Sequence, residues 1–448
     1  MNNYDIAVIG SGPGGFSAVV RAAQLGKKVV LIEKDLTGGT CLNCGCIPTK
    51  FLWQALKTKQ KIQKSYEYGF KANLEPFSFS DIIDKKDKSI SNIRKGMDMI
   101  LASYDNITVV NGTASFKSVN VLEIKNETEI SEISAEKIII ASGTKPAAIK
   151  GFEFNGQNII SSTDVLNLRE LPKNILVIGG GAIGIEMAAI LSGFGSQVTI
   201  AECEQQLLPG EDTEVSAGII KNLQRQGVEV LTSCMNALDG INNYEKVLIV
   251  TGRVPAKELN LENAGIETDK KGFIKTDDCC GTNINNIYAV GDIAGKNLLA
   301  YTAQNEGAIA AENAVNGNKS KADDLIVPLA VFSNPPAASV KVKNFSDYES
   351  LAENLVFGKF PFTASGRAFI ENERSGFIKC AVDKNSEKPL AFWIIGAHAD
   401  ELVNTAAQIL KKGEAPSRES MFHPSLSEGL LNAYEDALGK CTEKPKGK

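Results

Sequence analysis

The 448-residue sequence predicts an α/β protein made of two parallel, doubly wound units, one inserted in the other, and a C-terminal α+β domain. Three observations predict it: a glycine-rich turn between a strand pattern and a helix pattern near the start, a second copy of that arrangement mid-chain, and a change of character after about residue 322. In the first unit, residues 4–9 (Y-D-I-A-V-I) read as a short apolar strand, 10–15 as the turn and 16–25 as an Ala-rich helix closed by Gly26. Residues 28–32 form the next strand, which ends at Glu33. In the second unit the strand is 174–178, the turn 179–184, the helix 185–192 and the closing strand 197–201, which ends at Glu202. Gly10 to Glu33 and Gly179 to Glu202 are the same 23-residue step, and Gly26 to Glu33 and Gly195 to Glu202 the same 7-residue step. Two copies in one register argue for two domains of one design.

Residues 287–292 (I-Y-A-V-G-D) form a further strand-then-turn that returns the chain to the first unit once the second is complete. Beyond it, strand-like runs at 325–332, 377–382 and 390–395 precede helical runs at 401–412 and 426–438, and the Lys-rich tail 441–448 is expected to fray.

Gly10-Ser11-Gly12-Pro13-Gly14-Gly15 fits G-x-G-x-x-G, as does Gly179-Gly180-Gly181-Ala182-Ile183-Gly184. In such a turn the first glycine makes the bend, the second admits a pyrophosphate to the backbone, and the third lets helix and strand pack closely. The phosphates then lie at the positive helix end. Glu33 and Glu202 stand where a carboxylate accepts hydrogen bonds from ribose hydroxyls. A carboxylate at 202 repels a 2′-phosphate, and residues 203–209 (C-E-Q-Q-L-L-P) contain no Arg or Lys, so the second, Rossmann-like unit is expected to take NAD rather than NADP.

Composition narrows the function classes. The chain is 43% hydrophobic and 23% charged with a net charge of −5, and no basic stripe occurs, so nucleic acid is not expected as a partner. No run approaches the roughly 20 apolar residues that span a bilayer, so no membrane association is expected. Nine cysteines without a repeating framework argue against a secreted disulfide lattice. Strand-like residues begin at Tyr4 and leave no room for a transit segment, so a cytoplasmic location is expected.

The segment Gly38-Gly39-Thr40-Cys41-Leu42-Asn43-Cys44-Gly45-Cys46-Ile47-Pro48-Thr49-Lys50 carries the chemistry. Two cysteines five apart lie just before a helix expected over 49–64, whose N-terminus favours a thiolate, so one of the pair is expected to have a lowered pKa. Cys44 is expected to pack as a small hydrophobe. Cys279 and Cys280 are adjacent, and because adjacent cysteines form only a strained bridge, they are not expected to be redox-active.

This segment resembles the redox-active disulfide of the pyridine nucleotide–disulfide oxidoreductases, G-G-T-C-x-N-x-G-C-x-P-[ST]-K. The resemblance covers nearly the whole chain: Ala141-Ser142-Gly143-Thr144 resembles the second FAD contact, Thr251-Gly252-Arg253-Val254-Pro255 the G-R-x-P segment near NAD, Gly291-Asp292 the FAD-ribitol motif, and His423-Pro424-Ser425-Leu426-Ser427-Glu428 the C-terminal H-P-[ST]-x-[ST]-E. Within the family, Glu202 and the segments 160–164 (I-S-S-T-D) and 178–186 (I-G-G-G-A-I-G-I-E) are similar to the branch that oxidises dihydrolipoyl groups.

The resemblance implies a Cys41–Cys46 redox disulfide, with Cys41 attacked by substrate and Cys46 beside the flavin. It implies His423 as base with Glu428 orienting it, and a Lys50–Glu186 pair near the flavin. FAD would be held by Gly10, Gly12, Gly14, Gly15, Glu33, Lys34, Gly39, Thr40, Cys41, Lys50, Ala114, Ser142, Gly143, Asp292 and Ala300. NAD would be held by Gly179, Gly181, Ile183, Gly184, Glu202, Gly252 and Arg253, and no metal is implied. The expected domains are FAD-binding 1–149, NAD-binding 150–273, an FAD-domain return segment 274–322 and a dimerisation/interface domain 323–448. A homodimer is implied, with His423 reaching the disulfide of the other subunit. The expected partners are separate chains, either lipoylated acyltransferase subunits or a lipoyl carrier protein of 2-oxo acid dehydrogenase or glycine cleavage complexes. Residues 230–248 are shorter than the family pattern, so the meander there is expected to be reduced and its adenine contacts stay unassigned. Two further readings remain open: an NADH-dependent reductase of another small disulfide, and a non-catalytic flavoprotein serving as a redox-sensing subunit, against which the retained cysteines and His423 weigh.

Overall fold

The computed structural model describes residues 2–322, 326–350 and 352–444. The first glycine unit folds into a seven-stranded sheet. Strand Asn2–Ile9 runs parallel to Val29–Glu33 on one side and to Ile130–Ile140 on the other, and Ile107–Asn111 continues beyond Val29–Glu33. Strands Thr113–Ser118 and Val121–Lys125 extend Ile130–Ile140 as an antiparallel arm. At the centre of the sheet, residues 6–9, 29–32 and 138–140 are Ile, Val, Leu and Ala and are buried, as expected for strands covered on both faces. Strand Ile287–Ala289 then joins the free side of Ile138–Ile140, so the chain does return to its first sheet.

The second unit, between these strands, has five parallel strands in the order Glu229–Leu231, Gln197–Ala201, Asn174–Ile178, Lys246–Ile249 and Ile159–Ile160. The stretch between Glu229–Leu231 and Lys246–Ile249 contains one 3₁₀ run, Ala237–Asn243, and no strand, in line with the expected reduction. A two-stranded ribbon of Thr144–Pro146 and Arg253–Pro255 ties the exit of each unit to the other. The C-terminal sheet is antiparallel, in the order Leu329–Val331, Ala337–Lys341, Pro389–Ile395, Phe377–Asp383 and Leu355–Pro361. Helices Ala399–Lys412 and Glu428–Ala437 bury their apolar faces in its core.

Some elements differ from expectation. Helix Ala182–Phe194 starts inside the glycine turn, because Gly181 is extended and serves as its N-cap. The strand expected over 325–332 is Leu329–Val331, and residue 325 lies outside the described residues, as does the end of the tail, 445–448. Helix Phe79–Ala102 was not foreseen. Its buried face reads Phe79, Ile83, Lys86, Ile90, Leu101, so a lysine occupies one inward position of the helical period. Lys86 is 1% exposed and donates to the Leu166 carbonyl at 2.6 Å, which satisfies the buried ammonium. Among the described residues no helix is long and apolar enough to cross a membrane.

Candidate functional site

The first glycine turn is built as its spacing demands. Gly10 adopts φ +97°, and a Cβ there would lie 2.5 Å from the Ala141 carbonyl oxygen. A Cβ on Gly15 would overlap the Gly10 carbonyl oxygen, so helix Pro13–Gln24 meets its strand only because that position is bare. Gly12 differs: a Cβ would meet no protein atom within 4 Å. Space lies in front of it, at the N-terminus of the helix, where a phosphate is favoured. The second turn repeats this. A Cβ on Gly179 would lie 2.7 Å from the Val250 oxygen, one on Gly184 would overlap the Gly179 oxygen, and Gly181 is open.

The two acids match as well. Glu33 Oε2 accepts the Ser11 N–H (2.7 Å) and hydroxyl (2.6 Å), and Glu202 Oε2 accepts the Gly180 N–H (2.6 Å). Each carboxylate therefore holds the second residue of its own glycine turn, and each places its other oxygen on an N–H two residues on, Asp35 at 2.9 Å and Glu204 at 2.9 Å. Glu202 is 8% exposed and its pKa is lowered: burial opposes the shift, and the N–H bonds from Glu204 and Gly180 overcome it.

Around the first turn the structure gathers Ser142, Gly143, Thr144 and Asp292. The Ser142 hydroxyl is buried without a hydrogen-bond partner, and a Cβ on Gly143 (φ +68°) would meet nothing within 4 Å. An orphaned donor beside open backbone suits the phosphate and ribitol oxygens of FAD. Thr144 donates to Asp292 at 2.9 Å, and buried Glu306 accepts the Gly291 N–H at 2.6 Å, which fixes the turn before Asp292. Ala300 opens helix Ala300–Asn316 nearby in the chain. Ala114 is buried in the apolar cluster of the antiparallel arm, and Lys34 and Thr40 are exposed. Ile183 is exposed on the helix after the second turn, and Gly252 (φ +147°) is open. The Arg253 guanidinium donates to the Thr144 hydroxyl and carbonyl, each at 2.7 Å, and stands 3.8 Å from Asp292. Its partners are thus the proposed FAD contacts.

The redox segment packs directly on the first turn. Gly38 donates to the Ser11 carbonyl at 3.1 Å, and a Cβ on Gly39 would lie 2.7 Å from Gly12 Cα. Short helix Gly39–Cys44 carries Cys41, and Gly45 breaks to helix Cys46–Gln63, which starts at Cys46, three residues earlier than expected. The Asn43 amide fastens the segment to the Leu36, Thr37 and Gly39 carbonyls, and Arg94 donates to Asn43 at 3.1 Å. Both thiols are free and mutually hydrogen-bonded. The Cys41 thiol donates to Cys46, which lowers the Cys46 pKa to about 7, with Lys50 adding to the effect, while Cys41 is raised by the same bond and by burial. Lys50 forms a two-oxygen pair with Glu186 (2.9 and 3.0 Å) and stands 4.4 Å from the Phe332 ring centroid, and the Phe332 N–H donates to Glu186 at 3.2 Å. The sequence reading assigned no role to Ser11, Glu306 or Phe332, which act through hydrogen bonds that no motif spells out, and carried Thr144 only as the last residue of the 141–144 motif.

The remaining candidates have partners of their own or are buried or half-buried thiols. His423 is exposed, with Nδ1 2.8 Å from Glu428 Oε1, and Glu428 Oε2 accepts the Ser425 N–H at 2.8 Å. His398 is half exposed and faces Glu371 at 3.1 Å. Cys280 is buried, and burial pushes its thiol up to about 12, which suits an inert thiol. Cys44 is half-buried.

Comparison with known proteins agrees with this geometry. The pyridine nucleotide-disulphide oxidoreductase model matches residues 4–307, and the dimerisation domain of the same family matches 327–434. Dihydrolipoyl dehydrogenase of Geobacillus stearothermophilus is 35% identical over 96% of both chains, and that of Thermus scotoductus 36% identical over 97% of both. A solved Cu(II) complex of the HOCl-induced flavoprotein disulfide reductase RclA from Escherichia coli superposes with a TM-score of 0.85 at 29% identity, covering 97% of this chain and 99% of that one. The chain therefore belongs to the pyridine nucleotide-disulphide oxidoreductases and is an enzyme of flavin-dependent disulfide oxidoreduction whose cofactors are FAD and NAD.

Proposed function

We propose that the enzyme oxidises dihydrolipoyl groups to lipoyl disulfides and reduces NAD⁺. The observation that carries this reading is the Cys41–Cys46 pair seated on the first glycine turn, with Lys50 and Glu186 behind it and Glu202 buried at the second turn. In the oxidised state the two cysteines share a disulfide. His423, oriented by Glu428, removes a proton from one substrate thiol. The thiolate attacks Cys41 Sγ, the Cys41–Cys46 bond breaks, and Cys46 departs as a thiolate, the form its lowered pKa favours. The second substrate thiol displaces Cys41 and closes the lipoyl disulfide, leaving two electrons on the enzyme dithiol. FAD and NAD, when bound, supply the two-electron relay from that dithiol to the nicotinamide. Gly12, Ser142, Gly143 and Asp292 would hold FAD, and Gly181, Ile183 and Glu202 would hold NAD, with Glu202 rejecting a 2′-phosphate.

His423 is exposed and serves the cysteines of a second copy, which makes the enzyme a homodimer with shared sites. Its lipoyl groups would arrive on separate cytoplasmic chains. The similarity to a flavoprotein disulfide reductase favours, as second reading, an NADH-dependent reductase of another small disulfide. Assays of lipoamide, glutathione disulfide and coenzyme A disulfide with NADH and NADPH decide between them. Lipoamide with NADH should be turned over fastest, and a clear preference for either other disulfide would replace the proposal by the second reading.

A further inference from the structure

Residues 203–211 link Glu202 to helix Thr213–Arg225 and belong to no strand or helix. One end of this loop rests on the second glycine turn. Leu208 (φ +50°) donates its N–H to the Gly180 carbonyl at 2.9 Å, and the fully buried Leu207 side chain would lie 2.5 Å from a Cβ on Gly180. Gly180 is the residue whose N–H Glu202 accepts, so the loop and the ribose-facing acid share one support. The other end is held by a different domain. Glu211, 12% exposed at its side chain, accepts the Trp393 indole N–H at 3.0 Å and the Ser339 hydroxyl at 2.6 Å, and stands 3.2 Å from Lys341 Nζ. Asp212 caps the helix through the Glu214 and Val215 N–H groups and pairs with Lys379 at 2.9 Å, while Glu214 pairs with Lys379 at 2.8 Å and with Lys359. Within the loop, the Gln206 amide donates to the Glu211 carbonyl at 2.9 Å and joins the two ends.

We propose that Glu211 is a positioning residue for the pyridine nucleotide. The C-terminal sheet, through Trp393, Ser339 and Lys341, holds the loop against Gly180 and so fixes Glu202 in the orientation that receives the ribose. The inference rests on the second glycine turn being the NAD site. Ser339 and Trp393 are each 3% exposed, so removing the carboxylate leaves two buried donors unsatisfied and frees the loop. A surface ion pair alone would have little effect, and the buried acceptor makes the difference.

The test uses the FAD-loaded holoenzyme with Glu211→Ala and Trp393→Phe, the latter removing one donor and keeping an aromatic, though smaller, side chain. Direct NAD⁺ binding to the oxidised enzyme by calorimetry should weaken about tenfold in Glu211→Ala and about threefold in Trp393→Phe, factors in keeping with lost buried hydrogen bonds. Amide exchange should quicken at Leu208. In NADH-driven ferricyanide reduction KM should rise with kcat nearly constant, and anaerobic reduction by dihydrolipoamide, which needs no nicotinamide, should match the parent. Unchanged NAD⁺ affinity in both variants beside a lowered melting temperature would overturn the proposal and leave a structural contact. If Glu211→Ala does not fold, unchanged affinity in Trp393→Phe alone overturns it. Ferricyanide and calorimetry require no lipoyl substrate, so failure of the dihydrolipoyl reading shows separately. A parent that binds NADP⁺ instead corrects the coenzyme, and the same comparison is made with NADP⁺.

Discussion

Cys46 owes its acidity to a hydrogen bond from Cys41 and to the charge of Lys50, acting at a helix start. In the two-electron-reduced holoenzyme the long-wavelength thiolate–flavin band should therefore titrate near pH 7, full above it and fading as pH falls through it. Cys46→Ser should abolish the band, and a band retained in that variant would move the role to Cys41. Lys50→Met should raise that midpoint and leave Glu186 buried with only the Phe332 N–H among the partners found here. Because Lys50 is itself about a third exposed, the stability loss by urea unfolding should be modest, roughly 2 kcal/mol. At this scale the sequence named Cys41, Cys46, Lys50, Glu186, His423 and Glu428, since each sits in a local motif or matches a family one. It could not name Phe332, whose contact with Glu186 spans 146 positions and uses a backbone N–H that any residue but proline supplies. It named Arg253 from the local G-R-x-P pattern, but not its bond to Thr144, which the ribbon pairing of Arg253–Pro255 with Thr144–Pro146 brings about.

Each glycine turn divides its glycines by task, and substitution should separate them. Gly15→Ala forces a Cβ into the Gly10 carbonyl and should destabilise the protein by about 3 kcal/mol or more. Gly12 is extended (φ −62°, ψ 179°) with open space before it, so Gly12→Ala should keep apoprotein stability within about 1 kcal/mol while FAD affinity falls. Urea unfolding of the apoprotein and flavin binding measure the two; equal loss of stability in both variants would refute the division. The two glycine units were legible from the sequence because period, turn and closing acid all agree over short spans. Helix Phe79–Ala102 was not, because the apolar stem of Lys86 fills an inward position that hydropathy scores as outward. The arm Thr113–Ser118 and Val121–Lys125 was missed for a related reason: only four of its eleven residues are buried, and its strands are only five or six residues long.

Among the described residues the one hydrogen-bond partner given for the His423 ring is Glu428, and its proposed service to the cysteines of a second copy gives a test of shared sites. Cys46→Ser and His423→Gln homodimers should each be nearly inactive in lipoamide turnover. Random mixing should give about a quarter of parental activity, since half the dimers are mixed and each has one intact site. No recovery on mixing, with mixed dimers verified by tag, would place His423 in the site of its own chain and overturn the shared arrangement. The sequence could announce such a dimer only through resemblance, because a surface histidine beside a glutamate says nothing of what lies across an interface. The order of the strands bears on how the protein is made. Ile138, Ile139 and Ile140 have no exposed surface in the finished sheet, yet the strand on their free side begins 149 positions later, 287 against 138. At ~5–20 residues per second, a ribosome leaves that isoleucine edge bare for about 7–30 s while the inserted unit, whose own strands span 159–249, is synthesised and folds. Yield in a foreign host will therefore follow chaperone supply during this interval more closely than it follows the stability of the released polypeptide.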